Sequence, residues 1–99
     1  MVKVVWTDRA LRDLKEISDF ISNDSFHYAG LTITKIVNLD IVIAKNPKIG
    51  RIVPEMYDKN IREIIKGNYR IIYQIRKNSF VYILTVFHSY RLLTKEDFK

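Results

Sequence analysis

The sequence contains no cysteine and only two histidines among its 99 residues. Without cysteine, neither a disulfide framework nor a thiolate metal site can form, and two imidazoles need carboxylates to complete a zinc site. The apolar runs are far shorter than the roughly 20 residues of a membrane-spanning helix, and residues 1–10 lack the features of a signal peptide. We therefore expect a single domain over residues 1–99, cytoplasmic, without metal, cofactor or membrane contact.

Acidic residues are scarce in the second part of the chain. Residues 1–58 hold eight Lys or Arg and eight Asp or Glu, whereas residues 59–99 hold nine basic and three acidic residues. The whole net charge of +6 therefore lies in residues 59–99. A basic region of this kind favours a polyanion or an acidic protein as partner, although charge alone does not say which.

Hydrophobic periodicity predicts one strand and then two helices. Residues 2–6 are β-branched and apolar, which is typical of a strand. Apolar residues at helical spacing follow from Ala10 to Ile21, with Asp13 among the polar residues expected on the solvated face, and Thr7 or Asp8 can cap this helix. A second helix is predicted over about 26–45, ending before Pro47.

Three strand-like runs make up most of the second part of the chain. They cover about 61–65, 69–76 and 80–88, with short turns between them and a connector over 47–60 before them. The order β-α-α-β-β-β predicts an α+β domain, in which an N-terminal helical hairpin packs on a small, mainly antiparallel sheet. The first strand is expected at the edge of the three-stranded meander.

Several sequence segments, taken in this order, resemble the RelE/ParE superfamily of toxins from toxin–antitoxin pairs. They are WTDRALRDL at 6–14, NPKIGR at 46–51, NIREII at 60–65, GNYRIIYQI at 67–75 and VFHSYR at 86–91. The resemblance covers nearly the whole chain. It is closer to the ParE branch, through the NPxIGR segment, the RE pair and the late histidine.

The resemblance implies the growth-inhibiting toxin of a type II, plasmid-stabilisation system. Such a toxin is neutralised by a cognate antitoxin with an acidic or amphipathic segment, as a hetero-oligomer. ParE-like members poison DNA gyrase, and this is the leading expectation. RelE-like members instead cleave mRNA in the ribosomal A site, so a ribosome-dependent endoribonuclease is the alternative. A further alternative is an attenuated member that only binds an antitoxin.

A nuclease would need a base, a cation and an acid around the scissile phosphate. Arg70 can clamp a phosphate, His88 can act as acid or base near neutral pH, and Glu63 or Glu55 can act as base. Tyr90 can stack on a nucleobase or donate a proton. By resemblance, Arg70 and His88 fall on positions matching those of superfamily nucleases. However, Ile64 and Ser89 stand where lysine- or arginine-centred members carry cations, which disfavours that chemistry.

The same residues also have structural and binding interpretations. Arg70 lies in the middle strand run and could pair with Glu63 across the hairpin or with Glu55 in the connector. If the protein acts by binding, the candidate contacts to a target or an antitoxin are basic side chains of the second part of the chain, namely Arg62, Arg70, Arg76, Arg91 and Lys95. Structural and ligand-binding roles for Arg70 remain open from the sequence.

Overall fold

A computed structural model of the protein describes residues 1–77 and 79–89. Its elements are β1 (Lys3–Trp6), α1 (Asp8–Ser22), α2 (Phe26–Val37), α3 (Leu39–Lys45), β2 (Arg51–Ile52), β3 (Ile61–Lys66), β4 (Tyr69–Arg76) and β5 (Phe80–His88). The sheet has the order β1-β5-β4-β3-β2, and only the β1–β5 pair is parallel. The predicted α+β class, with β1 at an edge, is confirmed.

Helix α1 has Thr7, one of the two predicted capping residues, as its N-cap. The Thr7 hydroxyl accepts a hydrogen bond from the Ala10 amide (3.2 Å) and donates one to the carbonyl oxygen of Ile83 (2.7 Å). The same side chain therefore caps the helix and fixes its start to β5. Ser25 caps α2 in the usual way, through the Tyr28 amide at 3.0 Å.

The prediction of one continuous helix over 26–45 is wrong at Asn38. Helix α2 ends at Val37 and α3 begins at Leu39. The Asn38 amide still bonds to Thr34, but the Ile41 amide bonds back to the Asn38 carbonyl over only three residues. Asparagine is a weak helix former, and no side chain caps α3 at this point, so the regular pattern is interrupted here.

The connector over 47–60 contains a short strand that the sequence did not predict. Arg51 and Ile52 of β2 pair with Glu63 and Arg62 of β3. Two residues are too few to show a hydrophobic period, so β2 has no signature of its own. The pairing of β2 depends on tertiary contacts. One of them is the hydrogen bond that Arg62 Nη1 donates to the Gly50 carbonyl oxygen at 3.0 Å.

The sheet has a helix-facing side and an opposite side, each with its own apolar cluster. On the helix-facing side, strand residues Ile71, Tyr73, Val81, Ile83 and Val86 pack with Ala10, Leu14, Ile36 and Ile43. On the opposite side, a smaller cluster consists of Val53, Ile61, Ile72 and Phe87. The alternation along β4 places Arg70 on the opposite side, one residue from the main core.

A β-bulge interrupts the alternation along β5. Ile72 pairs with Thr85 and Tyr73 pairs with Ile83, so Leu84 is the extra residue. Asp13 of α1 binds the residues that follow the bulge: its Oδ2 accepts hydrogen bonds from the Thr85 hydroxyl (2.6 Å) and the Val86 amide (3.0 Å). Asp13 is therefore not a solvated residue as its position in the sequence suggests. The bulge shifts the side-chain phase of the end of β5 by one residue.

Candidate functional site

Arg70 lies at the centre of an ion-pair network on the opposite side of the sheet. Its Nε donates to Glu63 Oε2 at 2.9 Å, and its Nη2 also contacts Glu63. Its Nη1 lies 3.2 Å from Glu55 Oε2. The Arg70 side chain is only 8% exposed and that of Glu63 is fully buried. Arg70 therefore pairs with both carboxylates that the sequence left open.

Arg51 completes the network from the edge of the sheet. Its Nε donates to Glu63 Oε1 at 2.6 Å, while most of its side chain stays in solvent. The Arg70 guanidinium also lies over the Phe87 ring, 5.4 Å from the centroid. Each oxygen of the buried Glu63 carboxylate thus has a cationic donor, which a buried charge requires. Arg51 was not predicted to belong to the network, because the sequence has no pattern that indicates strand β2 and so none that places Arg51 opposite Glu63.

The network shifts the pKa values of Glu55 and Arg70. Burial, the largest influence, tends to raise the pKa of Glu55, but hydrogen bonds from Arg70 and its own backbone, with the charges of Arg70 and Arg51, hold it below its usual value. For Arg70, burial tends to lower the pKa, and the hydrogen bonds and charges of Glu63 and Glu55 outweigh it and raise the pKa. Arg70 is therefore a permanent cation already neutralised by carboxylates.

The Glu55 pKa predicts a pH dependence of stability. Since its folded-state pKa lies below its usual 4.5, the Arg70–Glu55 contact stabilises the protein above that pH and is lost as pH falls through the folded pKa. Glu55→Gln should therefore be less stable than wild type at pH 7, and the difference should shrink below pH 4.5 and vanish in stronger acid. Urea midpoints across this range measure the difference.

The control for this prediction is Glu16→Gln. Glu16 is exposed on α1 and has no ion pair within residues 1–77 and 79–89. Its replacement should change the urea midpoint little at any pH. A Glu55→Gln deficit that stays constant down to pH 3 would contradict the assigned role of the Glu55 carboxylate.

His88 lies in a groove on the helix-facing side, away from the Arg70 network. The groove has a volume of about 550 Å³, and its lining includes Arg9, Asp13, Glu16, Ile17, Phe20, Tyr69 and His88. The His88 ring meets the Tyr69 ring edge to face, with centroids 5.8 Å apart. Tyr69 pairs with His88 and Arg70 with Phe87, so the two pairs project from opposite sides of the sheet.

The structure therefore brings Arg70 together with Glu63 but not with His88. Because paired residues share a face and neighbours alternate, the sheet itself separates the Arg70 guanidinium from the His88 ring. The phase shift at the bulge has this effect, since strict alternation from Val81 onward would place His88 on the other face. Tyr90, Arg91 and Lys95 lie outside the described residues.

The two remaining sheet arginines have different surroundings. The Arg62 guanidinium donates to the carbonyl oxygens of Lys59, Lys48 and Gly50, and so fixes the connector. Arg76 stacks on the Tyr82 ring, with its Cζ 4.3 Å from the centroid, and is exposed. Of the sheet arginines in the described part of the chain, Arg76 alone has neither a carboxylate nor a main-chain carbonyl as partner.

The described residues hold no group of three or more His, Cys, Asp or Glu side chains that could bind a metal ion. In the same part of the chain, no helix has the length and apolarity needed to cross a membrane. The arrangement is thus a sheet with a neutralised ion-pair network on one side and a histidine-lined groove on the other. The Arg70–Glu63 pair and His88 thus lie on different sides of the sheet.

Comparison with known proteins assigns this architecture to a family. The family model described as "ParE toxin of type II toxin-antitoxin system, parDE" matches residues 4–93. The "Putative toxin Y4kP" of Sinorhizobium fredii is 33% identical over 89 residues, which cover 90% of each chain. The chain therefore belongs to the ParE toxin family of type II toxin–antitoxin systems, within the RelE/ParE superfamily.

Two solved structures share the fold at low sequence identity. One is the toxin–antitoxin complex RelBE2 from Mycobacterium tuberculosis, with a TM-score of 0.64 and 22% identity over 88% of this chain and 96% of the other. The second is the chromosomal ParDE system of P. aeruginosa, with a TM-score of 0.71 and 19% identity over 89% of this chain and 96% of the other. These similarities concern the fold alone, and they agree with the α+β architecture predicted from the sequence.

Proposed function

We propose that this toxin inhibits growth in the cytoplasm by binding DNA gyrase and stalling it on DNA, as the resemblance to the ParE branch implies. The observation that carries the proposal is the state of Arg70. Its guanidinium is held by two carboxylates and lies across the sheet from His88. A ribonuclease would need that cation free to receive a phosphate next to a proton-transferring group.

The ribonuclease remains the second candidate, because the described part of the chain does contain a histidine-lined groove. His88, Tyr69, Glu16 and Arg9 all line it. An imidazole and a carboxylate in one groove are groups able to exchange protons with a bound substrate. In this form, the ribonuclease hypothesis would use Glu16 and Arg9 in place of Glu63 and Arg70.

The antitoxin is the expected partner, in a hetero-oligomer. The helical hairpin exposes large apolar side chains, with Phe20 74% and Phe26 86% exposed. Large exposed apolar side chains such as these can be covered by a binding partner. An amphipathic antitoxin segment can cover them, and its acidic residues would complement the basic second part of the chain.

The two candidate activities are separated by expressing the chain and its His88→Asn variant in bacteria. Gyrase-linked double-strand DNA breaks and mRNA 5′ ends are mapped in the same cells. If the protein poisons gyrase, His88→Asn should inhibit growth within about twofold of wild type, with breaks and without codon-linked cuts. His88 is exposed, so the replacement should leave the fold intact.

The matched control is His27→Asn, which replaces the second exposed histidine, on α2. Codon-linked cuts that disappear in His88→Asn and persist in His27→Asn would overturn gyrase poisoning in favour of ribonuclease activity. Normal growth of cells that contain the folded wild-type chain would instead indicate the attenuated, antitoxin-binding alternative.

A further inference from the structure

One end of the sheet's opposite side combines aromatic and basic side chains. Register pairs Lys3 with Phe80, Arg76 with Phe80, and Gln74 with Tyr82, so these residues share a face. We refer to Lys3, Gln74, Arg76, Phe80 and Tyr82 as the aromatic–basic surface. It lies at the β4–β5 turn, at the opposite end of β4 from the Arg70 network.

The geometry of this surface is that of a stacking platform. The Phe80 and Tyr82 rings are nearly parallel, at 28°, with centroids 6.2 Å apart. Both rings are half-buried, so each keeps part of its surface in solvent. The Arg76 Cζ lies over the Tyr82 ring, 4.3 Å from its centroid, and the Arg76 Nε donates to Gln74 Oε1 at 2.9 Å.

The cations of the aromatic–basic surface have no carboxylate partner in the described part of the chain. No carboxylate of residues 1–77 and 79–89 forms an ion pair with Arg76 or Lys3, in contrast to Arg51 and Arg70. Beside Arg76 is a hollow of about 490 Å³, lined by Asn60, Gln74, Ile75, Arg76 and Lys77. The hollow has two cationic residues and no carboxylate in its lining, which suits a phosphate group.

We propose that the aromatic–basic surface binds single-stranded nucleic acid. Nucleobases would stack on Phe80 and on the Arg76–Tyr82 pair, while the backbone phosphates would contact Arg76, Lys3 and Lys77 in and beside the hollow. Stacking tolerates any base, so binding would be independent of sequence. This activity is separate from gyrase inhibition and requires neither gyrase nor the ribosome.

Two features favour a single strand over a duplex or an acidic peptide. The Phe80 and Tyr82 rings are only partly buried, so unpaired bases can stack on their exposed parts, whereas paired bases inside a duplex cannot reach them. An acidic peptide would pair with the cations but would gain little from two stacked aromatic rings. RNA and DNA strands share the chemistry that this surface recognises.

The test is fluorescence anisotropy with labelled 15-nucleotide strands, oligo(dT) and oligo(rU), and a 15-base-pair duplex, added to the full chain. We expect both single strands to bind more tightly than the duplex at 100 mM salt. Phe80→Leu should weaken binding about tenfold, because the stacking partner of one base is lost. Arg76→Gln should weaken it similarly and reduce the slope of log affinity against log salt by about 0.7.

The matched control is Lys35→Gln, which removes one positive charge from the exposed face of α2. Its affinity should stay within about twofold of wild type, and circular dichroism checks that each variant is folded.

Several results would overturn the proposal: equal losses in Lys35→Gln and Arg76→Gln, preference for the duplex, or no binding of either strand. So would loss of antitoxin binding in Phe80→Leu with unchanged oligonucleotide affinity, which would assign the surface to a protein partner. Discrimination between oligo(dT) and oligo(rU) would identify which strand the surface prefers.

Discussion

Replacing Glu63 by glutamine should lower the free energy of unfolding by roughly 3 kcal/mol, because it leaves the buried Arg70 without its main counter-ion. The two side chains have nearly the same shape, so the loss comes from charge rather than packing. Arg70 is 8% exposed and cannot regain hydration, and Glu55 contacts it only from the partly solvated side. For a domain with a total stability of about 5–15 kcal/mol, this is a large fraction. Urea unfolding measures it as a lower midpoint with an unchanged slope.

The control removes the exposed partner of the same carboxylate. Arg51 contacts Glu63 from a side chain that is 62% exposed, so Arg51→Gln should cost less than about 1 kcal/mol. A double variant, Glu63→Met with Arg70→Met, should recover much of the loss, since an apolar pair needs no counter-ion. Similar losses in Glu63→Gln and Arg51→Gln would show that burial of Arg70 does not govern the effect.

Replacing Gly50 by alanine should destabilise the protein by about 3 kcal/mol, because there is no space for a methyl group. A Cβ at this position would lie 2.6 Å from the Tyr73 hydroxyl oxygen and 2.7 Å from the carbonyl oxygen of Glu63. The Tyr73 hydroxyl is fixed in turn, since it accepts from the Gly50 amide at 2.9 Å and donates to Pro47 at 2.7 Å. Either the connector or the buried Tyr73 must move. Chemical denaturation measures the cost.

Gly30→Ala is the matched control, because the same substitution meets open space there. Gly30 is exposed within α2, and an added Cβ would meet no atom within 4 Å apart from the neighbouring residues and backbone of its own helix. Alanine favours the helix over glycine, so this variant should be more stable than wild type by up to about 1 kcal/mol. The two glycine variants should therefore shift the urea midpoint in opposite directions. A Gly50→Ala variant as stable as wild type would contradict the close packing of the connector on Tyr73.

The sequence was sufficient for the elements that carry a strong hydrophobic period. Helix α1 and the three long strands follow from local spacing. The fold class follows too, because an amphipathic helical hairpin and a meander can bury their apolar faces only against each other. The interruption at Asn38 and the two-residue strand β2 did not follow, since neither changes the local pattern.

The candidate site was predicted only in part, for the same reason. The sequence offered Glu63 and Glu55 as alternative structural partners of Arg70, and the structure joins it to both. Arg51 was missed because its contact depends on the position of β2. Arg70 and His88 lie on opposite sides of the sheet because of one bulged residue in β5. The pattern of apolar residues over 80–88 does not reveal this bulge.

The sequence by itself determined the α+β class, the basic second part of the chain and the superfamily resemblance. These depend on composition, on hydrophobic periodicity and on short sequence segments. Only the tertiary structure decided which charges neutralise each other and which side of the sheet each faces. Ion pairing depends on contacts between residues that are distant in the chain. A one-residue shift within a strand moves every later side chain to the other face of the sheet. Arg70 is thus buried between carboxylates, His88 faces a groove on the other side, and Arg76 remains exposed on an aromatic ring.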